Sequence, residues 1–280
     1  MSHSGTRLGD TLWANLLKYT CEAVLEAWNE GVRVIAIANQ KGGVAKTTTA
    51  VNLASGLALN GTRTLLVDLD PQANATQSLP QPEKVVATVF DVLSGVLTVS
   101  EATYAVDPHL DLLASHIKLA KLEPQLQGVV DAYRLRDAFN GLPYEYIVVD
   151  CPPSLGPLTT GALVAATHVL VPVTASYYGL NAVADFMETY AQIQSRINLQ
   201  LRLLGIVITI FDRRLKIAND VATLLRENYR SDVLTTVIEK NVRLDEAASG
   251  QTSIFSYDGT SRGAENYRQL LKEVLERADA

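Results

Sequence analysis

The chain is expected to fold as an α/β domain with a mostly parallel β-sheet and helices on both faces. Short and almost entirely apolar segments of strand length recur along its 280 residues. Amphipathic helical segments lie between most of them, which is typical of parallel sheets covered on both sides. The first apolar segment also runs through a glycine pair into a helix. Ligands of such sheets bind at the carboxyl ends of the strands, so functional residues are expected there.

The predicted elements alternate along the chain. The β-branched run Arg33–Asn39 is the first strand, and Lys46–Asn60 has the pattern of a helix that ends at Gly61. Further apolar segments predict strands at Arg63–Asp70, Leu110–Ala114, Tyr146–Asp150, His168–Thr174, Leu203–Thr209 and Val233–Ile238. A last helix is predicted to pack on the core through the apolar stripe Tyr267, Leu270, Leu271, Val274, Leu275 and Ala278. No repeat or linker interrupts residues 32–280, so they are expected to form one domain.

The first 31 residues have no strand partner and are expected to form a separate helical extension. Large apolar side chains lie on one helical face, namely Trp13, Leu16, Leu17, Val24, Leu25 and Trp28. Packing of this helix on the domain is the first interpretation. A dimer-contact helix and a membrane-surface helix are the alternatives, although the segment lacks a lysine-rich polar face.

Composition excludes several classes of protein. A chain with 48% hydrophobic and 19% charged residues is globular rather than disordered. No apolar run approaches the roughly 20 residues that cross a bilayer, and Met1–Asp10 lacks a secretory pattern, so a cytoplasmic location is expected. Cys21 and Cys151 are too few for a disulfide framework or a metal site and are interpreted as small core residues. The net charge of -6 argues against a polycation that coats nucleic acid, but it permits a local basic patch.

A candidate phosphate-binding loop follows the first strand. Its backbone N–H groups and the following helix N-terminus would point at a bound anion. Glycines allow the backbone to wrap a phosphate, a lysine reaches the β and γ phosphates, and a threonine hydroxyl ligates Mg²⁺. The loop therefore predicts a nucleoside triphosphate site with Mg²⁺, formed by Lys41, Gly42, Gly43, Val44, Ala45, Lys46, Thr47 and Thr48.

Carboxylates follow two of the predicted strands. Asp68 and Asp70 end the second strand, where alternation is expected to put them on the same face, and Asp150 ends the apolar run YEYIVVD. Carboxylates at this edge can hold magnesium-bound waters or orient an attacking water. Pro152 and Pro153 stiffen the segment that follows Asp150.

The segment NQKGGVAKTTTAVNLA resembles the deviant Walker A motif of the ParA and MinD family of ATPases. The resemblance continues in DLDPQANAT, DCPPSLGPLT and NVRLDEA, and covers residues 32–280. It implies a ParA-type P-loop ATPase that hydrolyses Mg-ATP slowly and closes as a face-to-face homodimer on two ATP molecules. Lys41 would then reach the partner's phosphates, Asp70 would position the hydrolytic water, Asp68 would be a second-shell magnesium partner, and Asp150 would be the Walker B carboxylate.

Two positions depart from the family pattern. Ala45 stands where most members have glycine, and a positive φ there would cost about 1 kcal/mol. Glu239 stands where a proline usually precedes the basic residue. In the family that stretch contacts adenine, which makes Asn241 a candidate base contact, with capping of the following helix as its alternative.

The resemblance also implies nonspecific DNA binding and a stimulating partner similar to the centromere-binding protein ParB. Arg214 and Lys240 match the family positions for basic residues that touch DNA. Residues 212–243 carry seven Lys or Arg and five Asp or Glu, a local excess of positive charge that adds Arg213, Lys216 and Arg243 to the predicted interface. A helix-turn-helix extension is not expected. The cargo is left open between a chromosome, a plasmid and a protein body.

Other members of the superfamily offer alternatives. A MinD-type membrane-positioning ATPase would need a carboxyl-terminal helix that enters lipid, and a carboxysome-type cargo ATPase would use the nucleoid as a track. A relative of the nitrogenase iron protein would need cysteines for an iron–sulfur cluster. A sensor that binds without hydrolysing would explain Ala45. His3, His109, His116 and His168 lie outside the motifs and are interpreted as structural or surface residues.

Overall fold

A single eight-stranded sheet organises the computed structural model, which describes residues 31–80 and 84–279. Its strands are β1 (Arg33–Ile37), β2 (Thr64–Asp68), β3 (Thr103–Asp107), β4 (Leu110–Leu113), β5 (Tyr146–Asp150), β6 (His168–Thr174), β7 (Arg202–Phe211) and β8 (Val233–Glu239). They are ordered β3-β4-β2-β5-β1-β6-β7-β8, and every pair is parallel except β3 with β4. The predicted extension 1–31 lies outside the described residues except for Gly31, and remains a prediction.

Helices connect most of the strands. In chain order they are α1 (Lys46–Leu59), α2 (Asn74–Gln77), α3 (Val89–Leu93), α4 (Val99–Ala102), α5 (Leu119–Leu122), α6 (Val129–Phe139), α7 (Pro157–Ala165), α8 (Tyr177–Arg196), α9 (Lys216–Tyr229), α10 (Val242–Ser249), α11 (Ile254–Asp258) and α12 (Arg262–Ala278). Short 3-10 turns at Glu123–Gln125 and Arg230–Asp232 complete the regular structure of the described residues.

Both faces of the sheet are covered, as its apolar strands predict. In β1, Val34 and Ala36 belong to one buried cluster, whereas Ile35 and Ile37 belong to a second cluster on the opposite face. The first cluster is completed by helices that include α6, α7 and α8, and the second by α1 and α12. The apolar stripe of α12 is buried in the second cluster, which confirms the prediction that this helix packs on the core.

The antiparallel strand β3 is absent from the predicted elements. Its residues are half-buried or exposed rather than apolar and buried, because β3 is an edge strand. It precedes a tight turn into β4 and shifts register near Ala105. An edge strand of five residues with this pattern carries little of the hydrophobic signal that identifies the central strands.

The opposite edge of the sheet, β8, is covered by side chains of α12. The Glu273 carboxylate accepts hydrogen bonds from the backbone N–H groups of Thr235 at 2.8 Å and Thr236 at 2.9 Å. Asn266 Oδ1 accepts a third from Glu239 N–H at 3.1 Å. The register of β8 against β7 shifts in this stretch, so the strand is bulged where Glu273 binds it.

Candidate functional site

The phosphate loop lies between β1 and α1, and its backbone passes through left-handed conformations. Gly43 has φ 70°, and Ala45, the residue before α1, has φ 62° and ψ 34°. A left-handed backbone costs an L-residue roughly 1–2 kcal/mol, whereas glycine adopts it freely. The departure from the family pattern at Ala45 therefore falls at a position with positive φ, and the alanine methyl group carries a strain cost there.

The Lys46 side chain folds back over this loop. Its Nζ donates to the Lys41 carbonyl oxygen at 3.0 Å. Burial lowers the pKa of the Lys46 ammonium, and the nearby Asp150 and Asp70 carboxylates oppose that shift. The ammonium and the N-terminus of α1 together concentrate positive potential at the loop, which is where a phosphate would bind.

Lys41 points away from its own loop toward the turn that precedes α8. Its Nζ lies 3.2 Å from Ser176 Oγ and 5.7 Å from the centre of the Tyr178 ring. Ser176 also caps α8 by accepting from Gly179 N–H. Tyr178 is exposed, so the half-buried lysine lies beside an aromatic ring that is open to solvent. Sequence reasoning missed this contact, because its partners are 135 residues apart.

Asp150 at the end of β5 is paired in register with Asp68 at the end of β2. It is fully buried, and neither of its oxygens has a hydrogen bond of normal geometry. Burial and the adjacent Asp68 charge raise the pKa of Asp150 well above its usual range, although the Thr47 hydroxyl is close enough to oppose the shift. A buried carboxylate without partners is costly unless a cation or proton neutralises it. With the Thr47 hydroxyl it fits a Mg²⁺ ion whose remaining ligands are phosphate and water oxygens.

Asp68 is held by a different set of contacts. One of its oxygens accepts from both the backbone N–H and the hydroxyl of Thr76, each at 2.7 Å, and the other accepts from Asp70 N–H at 3.1 Å. Burial raises the pKa of Asp68, and the Thr76 hydrogen bonds oppose the shift. The Thr76 hydroxyl in turn accepts from Ser115 N–H at 2.8 Å. Asp68 therefore braces the loop after β2 against the end of β4, and its magnesium role remains a prediction.

Asp70 lies beyond β2 rather than on it. The predicted strand Arg63–Asp70 is too long, because β2 ends at Asp68 and the chain then turns. The expectation that alternation along the strand places both carboxylates on one face is therefore wrong. Asp70 instead reaches the site through the turn, where its Oδ1 accepts from Gln72 N–H at 2.8 Å.

The phosphate loop and Asp70 line one cleft of about 810 Å³ at the carboxyl edge of the sheet, whereas Asp68 and Asp150 are not among its lining residues. The floor is the phosphate loop, and the wall includes Asp70, Lys240 and Asn241. Asn241 Oδ1 accepts from Arg243 N–H at 2.9 Å and so caps α10. The capping alternative is thus correct for that oxygen, while the residue also borders the cleft. The cleft brings together every residue predicted for the phosphates except Lys41 and Val44.

Helix α1, which follows the phosphate loop, is attached to α11 and α12 by side-chain hydrogen bonds. Asn52 donates to the Thr48 carbonyl at 2.8 Å and accepts from Ile254 N–H at 2.8 Å. Thr49 Oγ1 lies 3.2 Å from the Tyr267 hydroxyl in a buried contact. Neither contact was predicted, since Asn52 and Ile254 are 202 residues apart. Together they tie the loop-bearing helix to the carboxyl-terminal helices.

Comparison with known proteins identifies the family. Residues 32–203 match the family described as AAA domain. The chain is 41% identical over 249 residues to the sporulation initiation inhibitor protein Soj of Bacillus subtilis, covering 86% of this chain and 98% of that protein. It is 43% identical over 249 residues to the chromosome-partitioning ATPase Soj of Thermus thermophilus, covering 88% and 96%. This chain belongs to the Soj/ParA family of partition ATPases. The predicted ATPase activity and family are thereby confirmed.

A solved structure agrees with the fold of this partition ATPase. Cobyrinic acid a,c-diamide synthase of Mycobacterium smegmatis, with bound ADP and magnesium, superposes with a TM-score of 0.76 at 35% identity. The match covers 89% of this chain and 96% of that one. The α/β class predicted from the sequence is confirmed by the strand order and by this likeness.

Of the basic residues predicted for DNA, Lys240 borders the cleft, and the other four are not among its lining residues. Arg214 forms a bidentate ion pair with Asp212, with N–O distances of 2.9 and 2.7 Å. Arg213 pairs with Glu239, and Arg243 pairs with Glu246 at 2.7 Å. Lys216 and Lys240 are exposed, and no ion pair holds either within residues 31–80 and 84–279. Three of the five predicted cations are therefore partly neutralised within the chain.

Two alternatives for the partition ATPase lose support from the structure. The apolar face of α12 is buried, so it is not available to enter lipid in this conformation. No helix in the described ranges is long and apolar enough to span a membrane. Cys151 is buried, burial raises the pKa of its thiol, and the described residues hold no group of three side chains suited to a metal ion of their own.

Proposed function

We propose that this partition ATPase acts as a DNA-binding switch in chromosome or plasmid partition. Mg-ATP closes two chains into a sandwich dimer, the dimer binds DNA without sequence preference, and hydrolysis stimulated by a ParB-like partner releases it. The observation that carries the proposal is the phosphate loop, whose Lys46 lies near the buried, unpartnered Asp150 while its Lys41 is turned toward Ser176. The expected location is cytoplasmic and nucleoid-associated, with no membrane partner.

The cofactors of this site are ATP and Mg²⁺. The backbone of Gly42, Gly43, Val44 and Ala45 and the first turn of α1, from Lys46 to Thr48, would hold the phosphates, because these N–H groups converge at a helix N-terminus. Thr47 and Asp150 would hold Mg²⁺, with Asp68 behind them. Bound Mg²⁺ would neutralise charge that develops on the transferred phosphoryl group. Asn241 and the adjacent backbone would contact adenine, and a preference for guanine nucleotides in a competition assay would overturn that assignment.

Hydrolysis would depend on positioning and charge. Asp70 borders the cleft and would orient the attacking water, and Lys46 would stabilise the developing charge. Lys41 would supply the second positive charge to the partner's nucleotide. Slow turnover suits a switch, because the ATP and ADP states must last long enough to differ in their affinity for DNA.

Dimer formation is supported by the position of Lys41. The lysine is turned away from its own loop, toward Ser176 and the exposed Tyr178. We expect light scattering to detect a dimer with Mg²⁺ and a nonhydrolysable ATP analogue. Lys41→Ala should weaken that dimer, while Lys46→Ala should lose nucleotide binding itself. A Lys41→Ala protein that dimerises as well as the parent would contradict the trans role.

DNA binding is assigned to Arg214 and Lys240, with contributions from Arg213, Lys216 and Arg243. Each phosphate neutralised adds about 0.9 to the slope of log affinity against log salt, so doubling the patch in a dimer should roughly double the slope. The test is fluorescence anisotropy with random-sequence duplex DNA at several salt concentrations, with and without ATP. The Arg214→Ala, Lys240→Ala double variant should bind more weakly and with a shallower slope.

A cargo-positioning ATPase of the MinD or carboxysome type is the alternative outcome of this test. If the ATP-loaded dimer forms but does not bind DNA at low salt, we would conclude that the protein moves its cargo along a membrane or another protein instead of the nucleoid. Addition of a ParB-like protein encoded nearby should accelerate phosphate release in the presence of DNA. If no such candidate accelerates phosphate release, the ParB-like partner must be dropped from the proposal.

A further inference from the structure

We propose that Glu239 weakens DNA binding by pairing with two arginines of the DNA-binding surface, an effect that we call the Glu239 brake. We also propose that one of these arginines, Arg262, is a further phosphate-binding residue. The inference rests on the proposed DNA binding. Arg213, predicted to bind DNA, and Arg262, which no motif identifies, converge on the single Glu239 carboxylate. We call these three residues the Glu239 cluster.

The Glu239 cluster joins three separate elements. Glu239 ends β8, Arg213 lies in the turn between β7 and α9, and Arg262 is the first residue of α12. Arg262 Nη1 lies 3.1 Å from both Glu239 oxygens, and Arg213 Nη2 binds one of them. Such convergence of two guanidinium groups on one anion is the arrangement that arginines use to bind a phosphate. The Glu239 carboxylate thus engages two guanidinium groups that would otherwise be free to bind a DNA phosphate.

The Glu239 side chain is much less exposed to solvent than the two arginine side chains that pair with it. The Glu239 side chain is 14% exposed, whereas those of Arg213 and Arg262 are 67% and 61% exposed. The arginines are thus on the surface, where DNA can reach them, while the carboxylate lies beneath. Lys240, the next residue, is exposed and without an ion pair among the described residues. Glu239 therefore removes one unit of positive charge from a group of three cations.

The backbone of Glu239 is fixed independently of its carboxylate. Its N–H donates to Asn266 Oδ1 at 3.1 Å, and the following Lys240 N–H donates to the Phe211 carbonyl at 3.0 Å. Glu239→Gln should therefore remove the charge without moving the strand end. The equivalent substitution of Asp212 would not be a clean test. Asp212 accepts hydrogen bonds from both the side chain and the backbone N–H of Arg214, so its replacement would also disturb the turn.

The test is DNA binding by the ATP-analogue-loaded Glu239→Gln protein, measured by anisotropy on random-sequence duplex from low to high salt. We expect affinity to rise about threefold to tenfold at 0.1 M salt, and the slope of log affinity against log salt to steepen by about 0.9 for each added phosphate contact. Arg262→Ala should reduce that gain in the Glu239→Gln background, and Arg213, which Glu239 also pairs with, should account for the remainder. In the parent, where Glu239 restrains the arginine, Arg262→Ala should have a smaller effect.

Two control substitutions distinguish the effect of the Glu239 carboxylate from a general effect of net charge, and thermal unfolding checks for misfolding. Glu227→Gln makes the same change in net charge near the far end of α9, about 16 Å along the helix from Lys216, beyond the Debye length of about 10 Å at 0.1 M salt. It should leave DNA binding unchanged. Glu239→Asp keeps the charge and should retain the parent's salt slope. Each variant's thermal transition shows whether it folds.

The outcomes distinguish the inference from the proposed function. If the parent binds DNA and Glu239→Gln binds equally or more weakly while remaining folded, the brake does not exist and the proposed function stands. If Arg262→Ala leaves the gain undiminished, Arg262 is not a phosphate contact. If the ATP-loaded parent does not bind DNA at all, the proposed function fails and the brake fails with it.

Discussion

At the scale of single residues, the φ of Ala45 is the feature with the clearest physical cost. The backbone there is left-handed, so the strain belongs to the folded chain itself. We expect Ala45→Gly to raise the free energy of unfolding by about 1 kcal/mol, despite the greater freedom of glycine in the unfolded chain. Chemical denaturation measures this directly.

Two further alanines provide matched controls for Ala45→Gly. Ala73 also has a positive φ, of 56°, but precedes α2 rather than the phosphate loop, so Ala73→Gly should stabilise by a similar amount. Ala54 lies inside α1 and is fully buried. Ala54→Gly should destabilise by about 1 kcal/mol or more. Destabilisation by Ala45→Gly would show that the methyl group contributes packing that outweighs its strain.

Asp70 permits a sharper test of hydrolysis than simple removal. Asp70→Asn keeps an oxygen that can accept from Gln72 N–H, whereas Asp70→Ala loses both that hydrogen bond and the charge. If the charge orients water, both variants should slow turnover by about 10²-fold or more while still binding ATP. Single-turnover phosphate release and analogue binding measure the two quantities. Normal turnover in Asp70→Asn would reassign the residue to shaping the turn.

At the scale of elements, the attachment of α1 to the carboxyl-terminal helices depends on Asn52 and Tyr267. Asn52→Ala removes one buried and one partly buried hydrogen bond and should lower the free energy of unfolding by roughly 2–3 kcal/mol, whereas Tyr267→Phe removes one buried hydrogen bond and should cost about 1 kcal/mol. Denaturant unfolding compares them. A larger loss from Tyr267→Phe than from Asn52→Ala would contradict this order.

The elements also show what the sequence predicts and what it does not. Central strands such as β5 are apolar throughout because both faces of the sheet are covered, and they could be located to within a few residues. The phosphate loop could be assigned because its residues are contiguous. The edge strand β3 was missed because only its inward positions are shielded. The contacts of Lys41 with Ser176 and of Asn52 with Ile254 depend on tertiary packing, which local patterns do not encode.

At the scale of the whole molecule, His168 links folding to pH. It is buried at the start of β6, with Nδ1 2.9 Å from the Thr167 hydroxyl and Nε2 without a partner. Burial, together with the nearby charges of Arg202 and Arg33, lowers the pKa of His168 from its ordinary 6.5 to about 4. Arg33 is itself paired with Asp279. The unfolded chain therefore takes up the proton first as the pH falls.

Because the folded pKa of His168 is depressed, its contribution to stability is lost as the pH falls from 6.5 toward 4. Relative to His168→Gln, the parent should lose roughly 2–3 kcal/mol across this window, at about 1.36 kcal/mol per pKa unit. Unfolding at several pH values compares the two proteins. His109→Gln alters an exposed histidine and should follow the parent. Parallel curves for the parent and His168→Gln would contradict the pKa shift.

The hydrogen bonds from Glu273 to β8 limit how these molecules can polymerise. A sheet lengthens into a fibre only if its outermost strand offers free amide groups as a template for an incoming chain. Here the amides of Thr235, Thr236 and Glu239 are already occupied by side chains of the same molecule. Strand-by-strand templating is therefore blocked along this border. A high local concentration of the protein would therefore not open a route into amyloid along β8.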